Sequence, residues 1–124
     1  MSDRTLVSVV DDDESVRESL PDLLNELGFA VQTFSSAESF LASPLVDQTK
    51  CLILDVAMPG MSGLKLQQEL KDRKQNIPII FITAQRDNGF RERMIEEGAV
   101  ECLYKPFSDT SLLAALKVAV NDLP

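Results

Sequence analysis

No histidine occurs anywhere in the sequence, and that one absence removes much of the usual chemistry. Ser/His/Asp triads, imidazole-ligated metals and a phosphohistidine carried on this chain are all excluded. Cysteine is scarce too: Cys51 and Cys102 stand far apart, form no C-x-x-C pair and sit in apolar strand-like runs. They read as buried, reduced core thiols. No apolar run is long enough to span a bilayer, and Ser2-Asp3-Arg4 followed by a short strand is no signal peptide, so the expected compartment is the cytoplasm. Basic residues are few, 12 against 20 acidic ones, giving a net charge of −8. Such a surface is repelled by phosphate backbones, and the chain is not expected to bind nucleic acid by itself. Internal repeats and low-complexity segments are absent. Chemistry here must run on carboxylates, hydroxyls and lysine.

What is present is the composition of one soluble domain: 124 residues, 44% hydrophobic and 26% charged. Short apolar runs, LVSVV (6–10), AVQTF (30–34), CLILD (51–55), PIIFIT (78–83) and VECLYK (100–105), alternate with segments of helical period. Val16, Leu20, Leu23, Leu24 and Leu27 mark one face of a first helix that stops at Gly28. Ala37/Phe40/Leu41, Leu66/Leu70, Phe90/Met94 and Leu112/Leu113/Leu116/Val120 mark four more. Five strands each followed by a helix imply an α/β fold with a parallel sheet covered on both faces. Right-handed crossovers then favour the doubly wound order 2-1-3-4-5. Pro21 conflicts with the first helix and predicts a kink or a late start there.

Ligands of such sheets bind at the carboxyl ends of the strands, where strand order reverses. Those ends here are Asp11-Asp12-Asp13-Glu14 after the first run, Asp55 after the third, Thr83 after the fourth and Lys105-Pro106 after the fifth. A carboxylate such as Asp55, closing a strand buried on both faces, is costly unless it is paired. Asp11, Asp12 and Asp55 would repel one another strongly without a cation among them, and oxygen-only ligation suits Mg²⁺ better than zinc. Asp55 can act as a nucleophile toward a phosphoryl group, with Mg²⁺, the Lys105 ammonium and the Thr83 hydroxyl holding the phosphoryl oxygens. Each piece alone has a plainer reading. Asp13 caps a helix, Glu14 lies in its first turn, Thr83 is strand stock, and Lys105-Pro106 is a turn. Their order at four strand ends carries the argument.

The stretches VVDDDESVRESL, LILDVAMPGMSGLKL, PIIFITA and EGAVECLYKPF resemble the receiver domains of two-component response regulators, leaning toward the FixJ-like branch, over essentially the whole chain. The resemblance implies a flavodoxin-like fold and a receiver spanning 1–121, with 122–124 opening an interdomain linker. It implies that Asp55 is the phosphoacceptor, charged by a sensor histidine kinase that docks on the first helix. Mg²⁺, for which Mn²⁺ can substitute, would be held by Asp12 and Asp55, by Asp11 through water and by the Ala57 backbone carbonyl. Thr83 would be the switch hydroxyl, and Lys105, before a cis proline bond, the phosphoryl-binding lysine. The domain itself would not be an enzyme beyond supporting its own phosphorylation and dephosphorylation. Its output would be a covalently linked DNA-binding domain, with no membrane contact.

One departure stands out. The family's switch aromatic, three residues before the lysine, is Cys102 here, and Tyr104 is expected on a different face from the lysine's neighbours. The resemblance implies that Ala57 and Gln85 occupy positions that influence phosphoryl loss. The resemblance also implies a homodimer through the fourth helix, fifth strand and fifth helix. There Arg86, Arg91 and Arg93 could pair with Glu101 or Asp109 across a two-fold axis, or simply be solvated charges. Three rival readings stay open: an aspartyl-nucleophile hydrolase, a flavin carrier, and a receiver-like module that signals without phosphate. The first lacks an acid at Ala57; the second would meet four acids where a phosphate loop is needed.

Overall fold

A computed structural model describes residues 4–84 and 89–120. In it the strands β1 (Leu6–Val10), β2 (Ala30–Phe34), β3 (Cys51–Asp55), β4 (Ile79–Thr83) and β5 (Glu101–Tyr104) alternate with helices. The helices are α1 (Glu14–Glu26), α2 (Ala37–Leu41), α3 (Gly63–Asp72), α4 (Phe90–Glu96) and α5 (Asp109–Ala119), and a 3₁₀ turn covers Pro44–Gln48. All strand pairs are parallel, in the order β2-β1-β3-β4-β5.

Strand alternation divides the core in two. Val10, Leu52, Leu54, Phe81 and Cys102 face α2, α3 and α4, meeting Phe40, Leu66, Leu70 and Met94. Val7, Val9, Ile53, Ile80 and Ile82 face α1 and α5, meeting Leu20, Leu24, Leu112 and Leu116. Every residue of β3 and β4 is buried, as expected of central parallel strands covered on both sides. A Leu→Ala change at such a position costs about 2–5 kcal/mol. A buried hydroxyl pair, Ser8 and Thr49, is satisfied: the two bond at 2.7 Å, and Thr49 also donates to the Leu45 carbonyl at 2.8 Å.

Helix α1 does not start late. Asp13 caps it, its carboxylate accepting the Ser15 N–H at 3.0 Å, and the helix runs on through Pro21. It forgoes the bond that residue 21 would otherwise donate to the Arg17 carbonyl. The cap and the burial of Leu20 and Leu24 outweigh that loss. Gly28, at φ +99°, ends it as expected, and Phe29 N–H returns to the Leu24 carbonyl at 3.0 Å.

Candidate functional site: an acidic pocket at the strand ends

Because β1 and β3 are neighbours where the strand order reverses, the residues that leave them arrive at one place. Carboxylate oxygens of Asp11, Asp12 and Asp55 lie within 4.8 Å of one another. Asp11 is fully buried and Asp55 nearly so, whereas Asp12 is exposed at the mouth. Lys105, carried in from the end of β5, places Nζ 2.9 Å from Asp11 Oδ2 and 3.8 Å from Asp55 Oδ1. The Lys105–Pro106 peptide bond is cis.

Asp11 is held from several sides. Its Oδ1 accepts the Asp13 N–H at 2.9 Å, its carbonyl accepts from Arg17 Nη1 at 2.9 Å, and its N–H donates to the Phe34 carbonyl at 3.1 Å. Oδ2 is different: it has no hydrogen bond of good geometry, and its compensation is the electrostatic pairing with Lys105. Burial, and then the charge of Asp11, push the Asp55 carboxyl up to about 7, with Lys105 pulling the other way. Burial also opposes the charge on Lys105, but Asp11, Asp55 and Asp13 outweigh it and hold that ammonium above the ordinary lysine value. A carboxylate pocket with too few protein cations and a buried oxygen lacking a hydrogen bond fits a hard divalent cation. With no histidine or thiol at the site, it does not fit a soft one.

Thr83 closes β4 on the strand beside Asp55 and is buried; Asp55 pairs in register with Ile82, one residue earlier. The Thr83 carbonyl accepts the Lys105 N–H at 2.7 Å, tying the ends of β4 and β5 together. Ala57 lies exposed two residues past Asp55. Cys102 is not in the pocket: it is buried against Phe81 in the core toward α4. Tyr104 is in register with Thr83 and two residues from Cys102, so these three share one side of the sheet. Gln85 and Arg86 lie outside the described residues.

Arg91 is bound within its own chain, Nε at 2.6 Å from Glu101 Oε1 and Nη2 at 2.9 Å from Oε2. The parallel fork of guanidinium and carboxylate is available because α4 packs directly on β5. Two residues went unnoticed in the sequence. Gly63 opens α3 so close to β3 that a Cβ there would stand 2.2 Å from the Asp55 carbonyl oxygen. A glycine at the start of a helix rather than just past its end could have signalled that approach. Glu38, on α2, accepts the Met61 N–H of the loop after Asp55 at 3.1 Å. No local pattern announces it, since its partner is 23 residues away.

Fold and pocket together define a doubly wound, flavodoxin-like domain with a cluster of carboxylates at the switch point of the sheet. The sequence pattern of the response regulator receiver domain matches residues 7–117, and the chain belongs to that family. It is 42% identical to the response regulator protein TodT of Pseudomonas putida over 125 residues, covering all of this chain and 55% of TodT. Nodulation protein W of Bradyrhizobium diazoefficiens is 46% identical, over 97% of this chain and 53% of that protein. The transcriptional regulatory protein FixJ of Rhizobium meliloti is 42% identical, over 99% and 60%. Among solved structures, the response regulator StyR superposes with a TM-score of 0.87 at 45% identity, over 96% of this chain and 60% of StyR. FixJ-N superposes at 0.84 and 40% identity, over 100% and 98%. The chain thus spans little more than half the length of the curated relatives it matches. Among the described residues, no helix is long and apolar enough to cross a membrane.

Proposed function

We propose that this chain is the phosphoacceptor unit of a response regulator, taking a phosphoryl group onto Asp55 from a phosphohistidine of a partner sensor kinase. The observation that carries this reading is the placement of Asp55 within 4.8 Å of Asp11 and Asp12 and 3.8 Å from Lys105 Nζ. In the transfer an Asp55 carboxylate oxygen forms the new P–O bond as the P–N bond breaks, and the electron pair leaves with the imidazole nitrogen. Asp12 and Asp55 would hold Mg²⁺ (or Mn²⁺) by their side chains, with Asp11 and the Ala57 carbonyl assisting. The bound ion supplies neutralisation of the charge gathering on the phosphoryl oxygens. Lys105 adds a second positive charge to that end of the pocket, and the Thr83 hydroxyl a hydrogen bond. Asp55, pushed up to about 7, is poorly nucleophilic while protonated, and a cation held among the three carboxylates would favour its ionised form.

Beside the pocket, α1 and the segment after β5 form a groove of about 710 Å³. Its floor is apolar, Val16, Leu20, Leu23 and Phe107, and Asp22 and Glu26 lie on its wall. We assign the kinase to this face. Residues 1–121 are the receiver and 122–124 begin a linker to a DNA-binding output domain, a reading supported by the greater length of the relatives. The α4–β5–α5 face, where Val118 is largely exposed, is the homodimer surface that phosphorylation controls. The domain turns over no substrate beyond its own phosphoryl group, works in the cytoplasm and does not itself hold DNA. One observation favours the rival module that signals without phosphate: the switch position is a small, buried Cys102.

Intact mass after incubation with a small acyl-phosphate donor tests the reading. The wild type should gain one phosphoryl group only when Mg²⁺ is present, and Asp55→Asn should gain none. No gain in the wild type with Mg²⁺ binding established would refute the phosphoacceptor assignment and favour the module.

A further inference from the structure

The loop from β3 to α3 leaves directly from Asp55, and little holds its backbone. Val56 N–H donates to the Ile82 carbonyl at 3.0 Å and Gly63 N–H to the Val56 carbonyl at 2.9 Å. Between those anchors, only one backbone group of residues 57–61 is hydrogen-bonded among the described residues. It is Met61 N–H, which donates to Glu38 Oε2 at 3.1 Å. Gly60, next to it, sits at φ +74°, and a Cβ there would fall 2.8 Å from that same carboxylate oxygen. The loop is therefore shaped around the Glu38 side chain, with a glycine where contact is tightest. On the apolar side, Met58 is buried in the cluster that also contains Ala37 and Phe40 of α2. Helix α2 thus grips the loop with packing on one side and a carboxylate on the other. Glu38 also lies in the first turn of α2, where a negative charge suits the helix end whatever the loop does.

We propose that Glu38 is a positioning residue for the Asp55 loop. By holding Met61 N–H it sets the path of residues 57–61 and, with it, the direction of the Ala57 carbonyl. This rests on the reading above of Asp55 and the Ala57 carbonyl as cation ligands. A carbonyl on an untethered segment must be ordered each time a cation binds, and a tethered one is ordered beforehand.

Calorimetric titration of the whole chain with MgCl₂ tests this on wild type, Glu38→Gln, Glu38→Ala, Gly60→Ala and Asp55→Asn. Met61 amide exchange and circular dichroism are followed alongside. Glu38→Ala should weaken Mg²⁺ binding by about three- to tenfold and speed Met61 exchange, with the helical signal unchanged. Glu38→Gln keeps an acceptor oxygen without the charge and should stay within about twofold of wild type. Gly60→Ala displaces the carboxylate from the loop side and should weaken binding although Glu38 remains, which keeps the test decisive should Glu38→Ala not fold. Wild-type affinity in Glu38→Ala or Gly60→Ala would overturn the proposal. So would an equal loss in Glu38→Gln and Glu38→Ala, which would assign the effect to charge alone. If the wild type takes up no more Mg²⁺ than Asp55→Asn, the cation-site reading itself fails and the proposal falls with it.

Discussion

At pH 8 and without divalent cations, Asp55→Asn should unfold at a higher temperature than the wild type. The reason lies in the pocket: three carboxylates share a space in which their oxygens come within 4.8 Å, and Lys105 is the ammonium that offsets them. Ionising Asp55 there is costly, as its rise from 3.8 to about 7 indicates. Each unit is worth about 1.4 kcal/mol, so the full cost approaches about 4 kcal/mol above pH 7. Asparagine recovers only part of this, because its amide still needs partners and Lys105 loses an anion at 3.8 Å. A gain of about 1–3 kcal/mol, or roughly 3–12 °C in a domain of this size, is the expected result. The pH dependence follows from the sign. A carboxyl raised in the folded state contributes its stability fully below the unfolded value near 4 and loses it as pH rises through about 7. The gap between variant and wild type should therefore shrink by about 2–3 kcal/mol between pH 8 and pH 5, where it vanishes or reverses sign. Millimolar Mg²⁺ should raise the wild-type midpoint and move the variant far less, since a ligand stabilises only the fold that binds it. Scanning calorimetry with EDTA at pH 5 and 8, then with MgCl₂, measures all of this. A variant no more stable than wild type at pH 8, or a gap indifferent to pH, would refute the electrostatic account of the pocket.

Gly63→Ala puts a Cβ 2.2 Å from the Asp55 carbonyl oxygen, so α3 must shift; urea denaturation should show a loss of at least about 2 kcal/mol, in the range of core overpacking. For Glu101, burial raises the carboxyl, but Arg91 and the Cys102 N–H outweigh it and hold it below the usual value. That stability is present above about pH 4.5 and lost as pH falls through the lowered value, so Glu101→Gln should cost about 0.5–1 kcal/mol at pH 7 and progressively less in acid. Burial pushes the Cys51 thiol up to about 12 and the Cys102 thiol to about 11. Both should resist a thiol reagent at pH 8 until denaturant is added; rapid labelling of the folded chain would contradict their placement. Cys102→Phe forces a ring into a filled site and should cost about 1–3 kcal/mol by chemical denaturation.

Much of this protein was already legible along the chain. The unbroken apolar runs of β3 and β4 announced strands buried on both sides, and their alternation with helical periods announced a parallel sheet. Strand bounds read from the sequence differ from the structure only at the ends of β4 and β5, where 78–83 and 100–105 become Ile79–Thr83 and Glu101–Tyr104. The pocket residues were legible for the same reason: a doubly wound sheet brings the residues after its central strands to one edge, so position along the chain implies proximity. Pro21 did not delay the start of α1, because local propensity ignores what the rest of the fold stabilises, here the buried faces of Leu20 and Leu24 and the Asp13 cap.

The class of fold, the identity of the charged groups and their convergence were thus determined by sequence alone, since each depends on periodicity and order. Only the tertiary structure decided which partner each group meets: Lys105 on Asp11 more closely than on Asp55, Arg91 on its own chain's Glu101, Glu38 on the loop that follows Asp55. These pairings depend on distances of a few ångströms between elements far apart in the chain. Such distances are set by how helices seat on a twisted sheet and by where a missing Cβ, as at Gly63, lets two backbones close.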